Sequence, residues 1–266
     1  EFWSVRDLPF SGVKSITSFT FGNSVEYIPF GLCDGMDALT SITISESVTN
    51  IGYYAFRNCS SLTSITIPEN VTSIGDYAFS GCLSLTSIIW NAIELTDSEH
   101  AIFPDSKTSI TSFTFGNHVK HIPAHICYNL ENLRMITLPN TTKSIGKNAF
   151  VGCSKLQDVY CYAVEPPTAY ESSFSQYNAF FYIPCENRKV YMLDDVFGNF
   201  KYIECISSDE VKTNDVVVTP TTNDVTIIWP LEDYADKYTI VIKNVNEVFC
   251  TLNFNADGQL LNIAYA

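Results

Sequence analysis

A phrase of 23 residues returns along this chain at nearly constant spacing. Leu39 to Ser61 reads LTSITISESVTNIGYYAFRNCSS, and Leu62 to Ser84 reads LTSITIPENVTSIGDYAFSGCLS. Leu133 to Lys155 reads LRMITLPNTTKSIGKNAFVGCSK, while Ile16 to Ala38 and Ile110 to Asn132 are degenerate copies. A period in the twenties with apolar residues at fixed offsets is the signature of a solenoid, in which each coil stacks on the one before. One coil buries too little apolar surface to offset the entropy of ordering its backbone, so only the array folds. Such arrays make long surfaces rather than reaction centres, which points to binding and away from catalysis.

Numbered from its leading Leu or Ile, the repeat places apolar residues at positions 1, 4 and 6 (Leu62, Ile65, Ile67) and small polar ones at 3 and 5 (Ser64, Thr66). Alternation of period two predicts a short strand with one buried and one wet face. Pro68, with no ladder donor, ends it. A second apolar set follows at positions 10, 13, 17 and 18 (Val71, Ile74, Ala78, Phe79), with Gly75 expected to supply a turn. Ile16 to Ser61 maps onto Ile110 to Lys155 at an offset of 94 residues, three coils of 23 plus one of 25. The longer coil, Leu85 to Ser109, carries Trp90 at an inward position and a polar excursion, Thr96 to His100, before Phe103 and Pro104. Trp3 to Lys14 matches the tail of a further coil, which predicts a stack without a dedicated N-terminal cap.

Cysteine falls into the same frame. Cys59, Cys82 and Cys153 occupy position 21, where other coils have Met36 and Leu130. Cys33 and Cys127 occupy position 18, where Phe56, Phe79 and Phe150 stand elsewhere. A site that exchanges Cys with Met, Leu and Phe is a packing site, so these five are expected as buried thiols. Cys161, Cys185, Cys205 and Cys250 lie outside that logic, and a bridge among them is open. The net charge of −14, from 29 acidic and 15 basic residues, excludes a nucleic-acid partner, which needs clustered Lys and Arg. No apolar run reaches the roughly 18 residues of a membrane span, so no insertion by this chain is expected.

The stretch after Leu156 opens with a last regular strand, LQDVYC, and then Pro166-Pro167, expected to stop the ladder. FFYIPC, a short helix from Asn187 to Asp194 and a strand near Phe200 to Cys205 complete a predicted cap over residues 162–205. Beyond it, DVVVTP, DVTIIWP, YTIVIKN, EVFCTLNFN and LLNIAYA form period-two runs separated by turn residues, the pattern of a small β-sandwich over 206–266.

The phrase L-x-x-I-x-I-P followed by V-x-x-I-G-x-x-A-F-x-x-C resembles the BspA-like, or Treponema pallidum-type, leucine-rich repeat, from about Trp3 to Cys205. The resemblance implies a right-handed leucine-rich-repeat solenoid of about seven rungs over residues 1–205, strand-rich with short turns and 3-10 segments. It also implies a secreted or cell-surface protein, of the kind found in Bacteroidetes and spirochaetes, that adheres to host or neighbouring-cell proteins. Trp229 resembles the core Trp of a fibronectin type III-like module, of which the five strands are an incomplete set.

The best candidate ligand surface is the polar row on the wet strand face: Ser18 and Thr20, Ser41 and Thr43, Ser64 and Thr66, Ser87, Ser112 and Thr114, Thr137, Asp158 and Tyr160. A protein partner, or alternatively a glycan, would lie along it; a passive spacer would leave it empty. His118, His121 and His125 invite a metal reading, but their positions 9, 12 and 16 face outward without evident convergence. No nucleophile elbow, zinc-protease motif, phosphate loop or credible carboxylate pair occurs, so neither enzyme nor cofactor is expected.

Overall fold

Each coil contributes two strands, and like strands of successive coils stack into columns. The computed structural model describes residue 10, residues 12–97 and 100–206, and five strands between 217 and 265. The first strands are β1 (Ser18–Thr20), β2 (Tyr27–Ile28), β3 (Ser41–Thr43), β4 (Asn50–Ile51), β5 (Ser64–Ile67) and β6 (Ser73–Ile74). The long coil gives β7 (Ser87–Trp90), and β8 (Ser112–Phe115), β9 (His121–Ile122), β10 (Met135–Leu138) and β11 (Ser144–Ile145) follow. Next come β12 (Asp158–Cys161), β13 (Thr168–Ala169), β14 (Phe180–Pro184) and β15 (Tyr202–Ile206). The longer strands make the first column, all parallel, in the hydrogen-bonded groups β1-β3, β5-β7-β8 and β10-β12-β14-β15. The two-residue strands make a second column, β2-β4-β6 and β9-β11-β13, which the repeat did not announce.

The alternation dictates the core. In β5, Ile65 and Ile67 are buried while Ser64 and Thr66 are exposed. Leu62, Val71, Ala78 and Phe79 close the other sides of the same coil. Down the stack Phe56, Phe79 and Phe103 pile at 5.3 Å between ring centroids. Trp90 is fully buried, as its inward position requires. Among the described residues no helix is long and apolar enough to cross a membrane.

Gly75 has a different role from the turn expected of it. Its φ is not positive; a Cβ there would collide with the backbone of Gly52 and Tyr53 in the preceding coil. Gly52 is the same case, its would-be Cβ 2.7 Å from Phe30 N. Glycine recurs at position 14 because neighbouring coils touch there backbone to backbone. The corners are turned elsewhere, by left-handed residues at position 16 (Tyr54 φ 57°, Tyr77 59°, His125 57°, Asn148 56°) and position 20 (Asn58 60°, Gly81 76°, Asn129 60°, Gly152 79°).

The five packing cysteines are fully buried and unbridged, as is Cys161. Three also donate across the stack, Cys59 Sγ to Cys33 O, Cys82 Sγ to Phe56 O and Cys153 Sγ to Cys127 O, at 3.3, 3.3 and 3.1 Å. Burial pushes the thiols of Cys33, Cys82 and Cys153 up to about 12 and that of Cys161 up to about 11.

Pro166-Pro167 does not stop the ladder. A proline removes only its own donor, and the next residue, Thr168, supplies an N–H to Lys143 O at 2.9 Å, so β13 joins the second column directly. The segment expected as a cap continues the first column through β14 and β15, giving about eight turns where the repeat predicts about seven. Helix α1 (Arg188–Leu193) and its preceding 3-10 turn, Cys185–Asn187, replace the return arm there. Tyr191 and Phe197 are fully buried beside Phe181, and Cys185 is disulfide-bonded to Cys205.

The chain divides into two compact units, residues 1–210 and 211–266. In the second, β16 (Val217–Pro220) pairs antiparallel with β17 (Val225–Ile228). There β18 (Lys237–Lys243), β19 (Val248–Asn255) and β20 (Leu260–Tyr265) form an antiparallel meander. Trp229 and most of Trp3 to Lys14 lie outside the described residues.

Candidate functional site

Parallel pairing in register puts the third position of every coil in one row and the fifth in another, with neighbours about 4.8 Å apart. Ser18, Ser41, Ser64 and Ser112 are exposed, as are Thr20, Thr43 and Thr66. Ser87, Thr114, Thr137 and Asp158 are half-buried. Ile89 and Met135, 44% and 47% exposed, interrupt the hydroxyl rows with apolar side chains. Tyr160 departs from the expectation of an exposed residue. It is only 7% exposed, because its ring lies flat against Tyr182 with centroids 4.4 Å apart and planes 8° from parallel.

The face continues past Tyr160. Register carries the third row from Asp158 to Phe180 and Tyr202, and the fifth from Tyr160 to Tyr182 and Glu204. Phe180 and Tyr202 stack at 4.9 Å, are 42% and 38% exposed, and have Lys201 Nζ 5.1 Å from the Tyr202 ring centre. The repeat frame missed Phe180, Tyr182 and Tyr202 because their segment was assigned to a cap. Burial alternates along β14, but its sequence FFYIP is apolar and aromatic throughout and carries no period-two signal. The face therefore offers uncharged hydroxyl rows that lead into an aromatic end, whose stacked rings present edges and hydroxyls.

The histidines address separate partners. His118 Nδ1 lies 2.8 Å from Glu69 Oε1, and Asn148 Nδ2 lies 2.9 Å from His125 Nε2. His121 is engaged on both nitrogens, with Nε2 2.7 Å from Asp97 Oδ1 and Nδ1 2.8 Å from Ser144 Oγ. Among the described residues no three metal-ligating side chains converge.

The carboxylate of Asp97 also accepts the Ala124 N–H at 2.7 Å. An ionised carboxylate only accepts, so His121 donates from Nε2 to Asp97. Serine, imidazole and carboxylate thus stand in line, a juxtaposition that sequence spacing does not disclose. Acyl transfer needs amide donors aimed at a developing oxyanion, and the nearby ones are spent. Ser144 N–H bonds Lys120 O at 3.2 Å and Gly146 N–H bonds Ile122 O at 2.8 Å. The same position three coils earlier holds the Asn50 to Ser73 side-chain bond, so the contact belongs to a polar ladder of the second column.

This ladder borders a shallow cleft of about 360 Å³, lined by Glu94, Thr96, Asp97, Lys120, His121, Lys143 and Ser144 among others. It opens where the described residues of the long coil contribute no strand to the second column between β6 and β9.

The BspA type leucine rich repeat region matches the chain in six copies, over residues 3–108 and 99–214. Among solved structures, a leucine-rich repeat protein from Eubacterium ventriosum is 27% identical over 55% of this chain and 39% of its own, with a TM-score of 0.47. The T. pallidum leucine rich repeat protein is 27% identical over 56% of this chain and 69% of its own, with a TM-score of 0.46. A leucine rich cell surface protein from Faecalibacterium prausnitzii is 18% identical over 75% and 62%, with a TM-score of 0.33. This chain thus spans 39% of the Eubacterium protein's length. No curated protein matches the sequence. With repeat matches running through well over half of its residues, the chain belongs to the BspA-type leucine-rich repeat family.

Proposed function

We propose that this chain presents its strand face to a protein partner, a host matrix protein or a component of a neighbouring cell surface, as part of a secreted or surface-attached molecule. The observation that carries this reading is the continuous, largely uncharged face that ends in the exposed pair Phe180 and Tyr202. Hydroxyl rows are desolvated cheaply compared with charges, and aromatic residues at one end supply the concentrated apolar area that anchors protein interfaces. The Cys185–Cys205 bridge supports an oxidising, extracytoplasmic location, since disulfides persist there and are rare in reducing cytosol. Residues 206–266, with nine acidic and three basic residues after Ile206, fit an acidic fibronectin type III-like spacer following a repeat domain at 1–205.

Glycan binding on the same face has less support. Sugars stack on ring faces, and here Tyr160 with Tyr182, and Phe180 with Tyr202, turn those faces to each other. Surface plasmon resonance against a panel of matrix and surface proteins tests the reading. Ser64→Arg, Ser112→Arg and Phe180→Ala should each weaken a captured partner by about tenfold. Indifference to all three removes the strand face as the site.

A further inference from the structure

The backbone that joins residues 1–210 to 211–266 leaves the array at the end of β15 (Tyr202–Ile206). That strand is a weak place to receive tension. Among the described strands it pairs with β14 alone, so a pull on Ile206 opens the ladder from its end. β14 (Phe180–Pro184) is held along both edges, by β12 and by β15. The Cys185–Cys205 bridge links these two strands at their ends. Cys205 is the penultimate residue of β15, and Cys185 follows directly on Pro184. We infer that the bridge is a load-transfer strap, passing tension that arrives through Ile206 from Cys205 to Cys185 and so into β14.

Residues 186–204 then carry no load. They hold helix α1, the buried rings of Tyr191, Phe197 and Phe200, and most of β15 with Tyr202. The two cysteines are 20 residues apart in sequence but 4.8 Å apart between Cα atoms. The strap therefore replaces about 65–70 Å of extensible chain with a span of a few ångströms, at roughly 3.3–3.6 Å per residue. Its place at the exit point matters, because a bridge earlier in β15 would leave the last residues of the strand to peel. Every other cysteine of the array is buried and unbridged, and Cys185 alone among them is exposed. On the reading proposed above, the strap keeps Tyr202 stacked on Phe180 while the chain is pulled. The transfer itself follows from connectivity and stands without that reading.

Optical-tweezers pulling on the full chain, between a handle at Ser112 on the strand face and one at Ala266, tests it. With the bridge intact, no chain from residues 186–204 should be released before β14 yields. Reduction of the folded chain by a phosphine should release about 65–70 Å of additional chain, at lower force, before β14 yields. Reoxidation should abolish that release, and Cys205→Ala should show it without reductant. The reduction arm needs no substitution, so it decides the question even where Cys205→Ala does not fold. The measurement uses no ligand, so a failure of the strand face as a binding site leaves its outcome unaffected. Release of this length from the bridged chain, or its absence after reduction, would overturn the assignment.

Discussion

The coils from Leu39 to Ser84 repeat their side chains almost letter by letter, whereas the turns from Leu156 to Ile206 repeat almost nothing, yet both build the same column. In the first region strands pair at an offset of 23 residues, as in Ser18 with Ser41 and Ser64 with Ser87. In the second, Asp158 pairs with Phe180 and Phe180 with Tyr202, an offset of 22 in each case. The cores differ in kind. Regular coils stack like on like, Phe56 on Phe79 with planes 20° apart. The closing turns interlock Phe174, Tyr191, Phe197 and Phe200 at mixed angles around Phe181 and add a helix and a disulfide. A coil inside the array has a neighbour on each side. The closing coils carry additional aromatic contact and a covalent bridge within their own turns. A column therefore requires inward apolar residues at alternate positions, but not a conserved return arm.

That contrast can be broken most severely in the regular region. Phe79→Ala should cost about 3–5 kcal/mol and lower protection throughout the neighbouring coils, because Phe56 and Phe103 both lose their stacking partner. Denaturant unfolding followed by hydrogen exchange measures both. A loss confined to one coil would deny that the coils depend on each other. Cys185→Ser should cost about 2–4 kcal/mol by releasing the closing turn, with exchange rising over 162–206 and Leu39 to Ser84 nearly unchanged. Uniform loss would erase the distinction between the regions.

The smallest effect concerns the buried thiols. Burial raises the folded pKa of Cys82 to about 12, above the ordinary thiol range it has when unfolded. Below that ordinary range the thiol is protonated in both states, and its contribution to stability is complete. As pH rises toward the folded value, the unfolded state sheds the proton and the folded state keeps it, so stability falls. Cys82→Ala should flatten the alkaline slope by up to about 1.4 kcal/mol per pH unit, measured by urea midpoints at rising pH. Exposed Cys185 and its bridge should show no such term.

Where the repeat was legible, the side chains followed it. Leu39, Leu62 and Leu133 are all fully buried in one continuous core, as identical positions in identical coils must be. The hydroxyl rows from Ser18 to Thr137 lie on the strand face where alternation puts them. Tyr160 misled because exposure of a large ring depends on the residue one strand further on, and Tyr182 belongs to a turn with no repeat signature. The second column was missed because two-residue strands carry no periodicity of their own; neighbouring coils in register define them. Gly75 was legible as a glycine that matters, but the reason, contact between backbones 23 residues apart, is invisible within one coil.

Period and alternation by themselves determined the stacking, the inward residues, the buried thiols and the wet face, because each follows from local geometry repeated at fixed spacing. The tertiary structure alone decided the continuation through β14 and β15, the aromatic end of the face, the pairing of Cys185 with Cys205, and the cleft beside the long coil. Those features depend on which residues of different coils meet across the stack, and where the coils stop being copies, spacing along the chain no longer says which ones do.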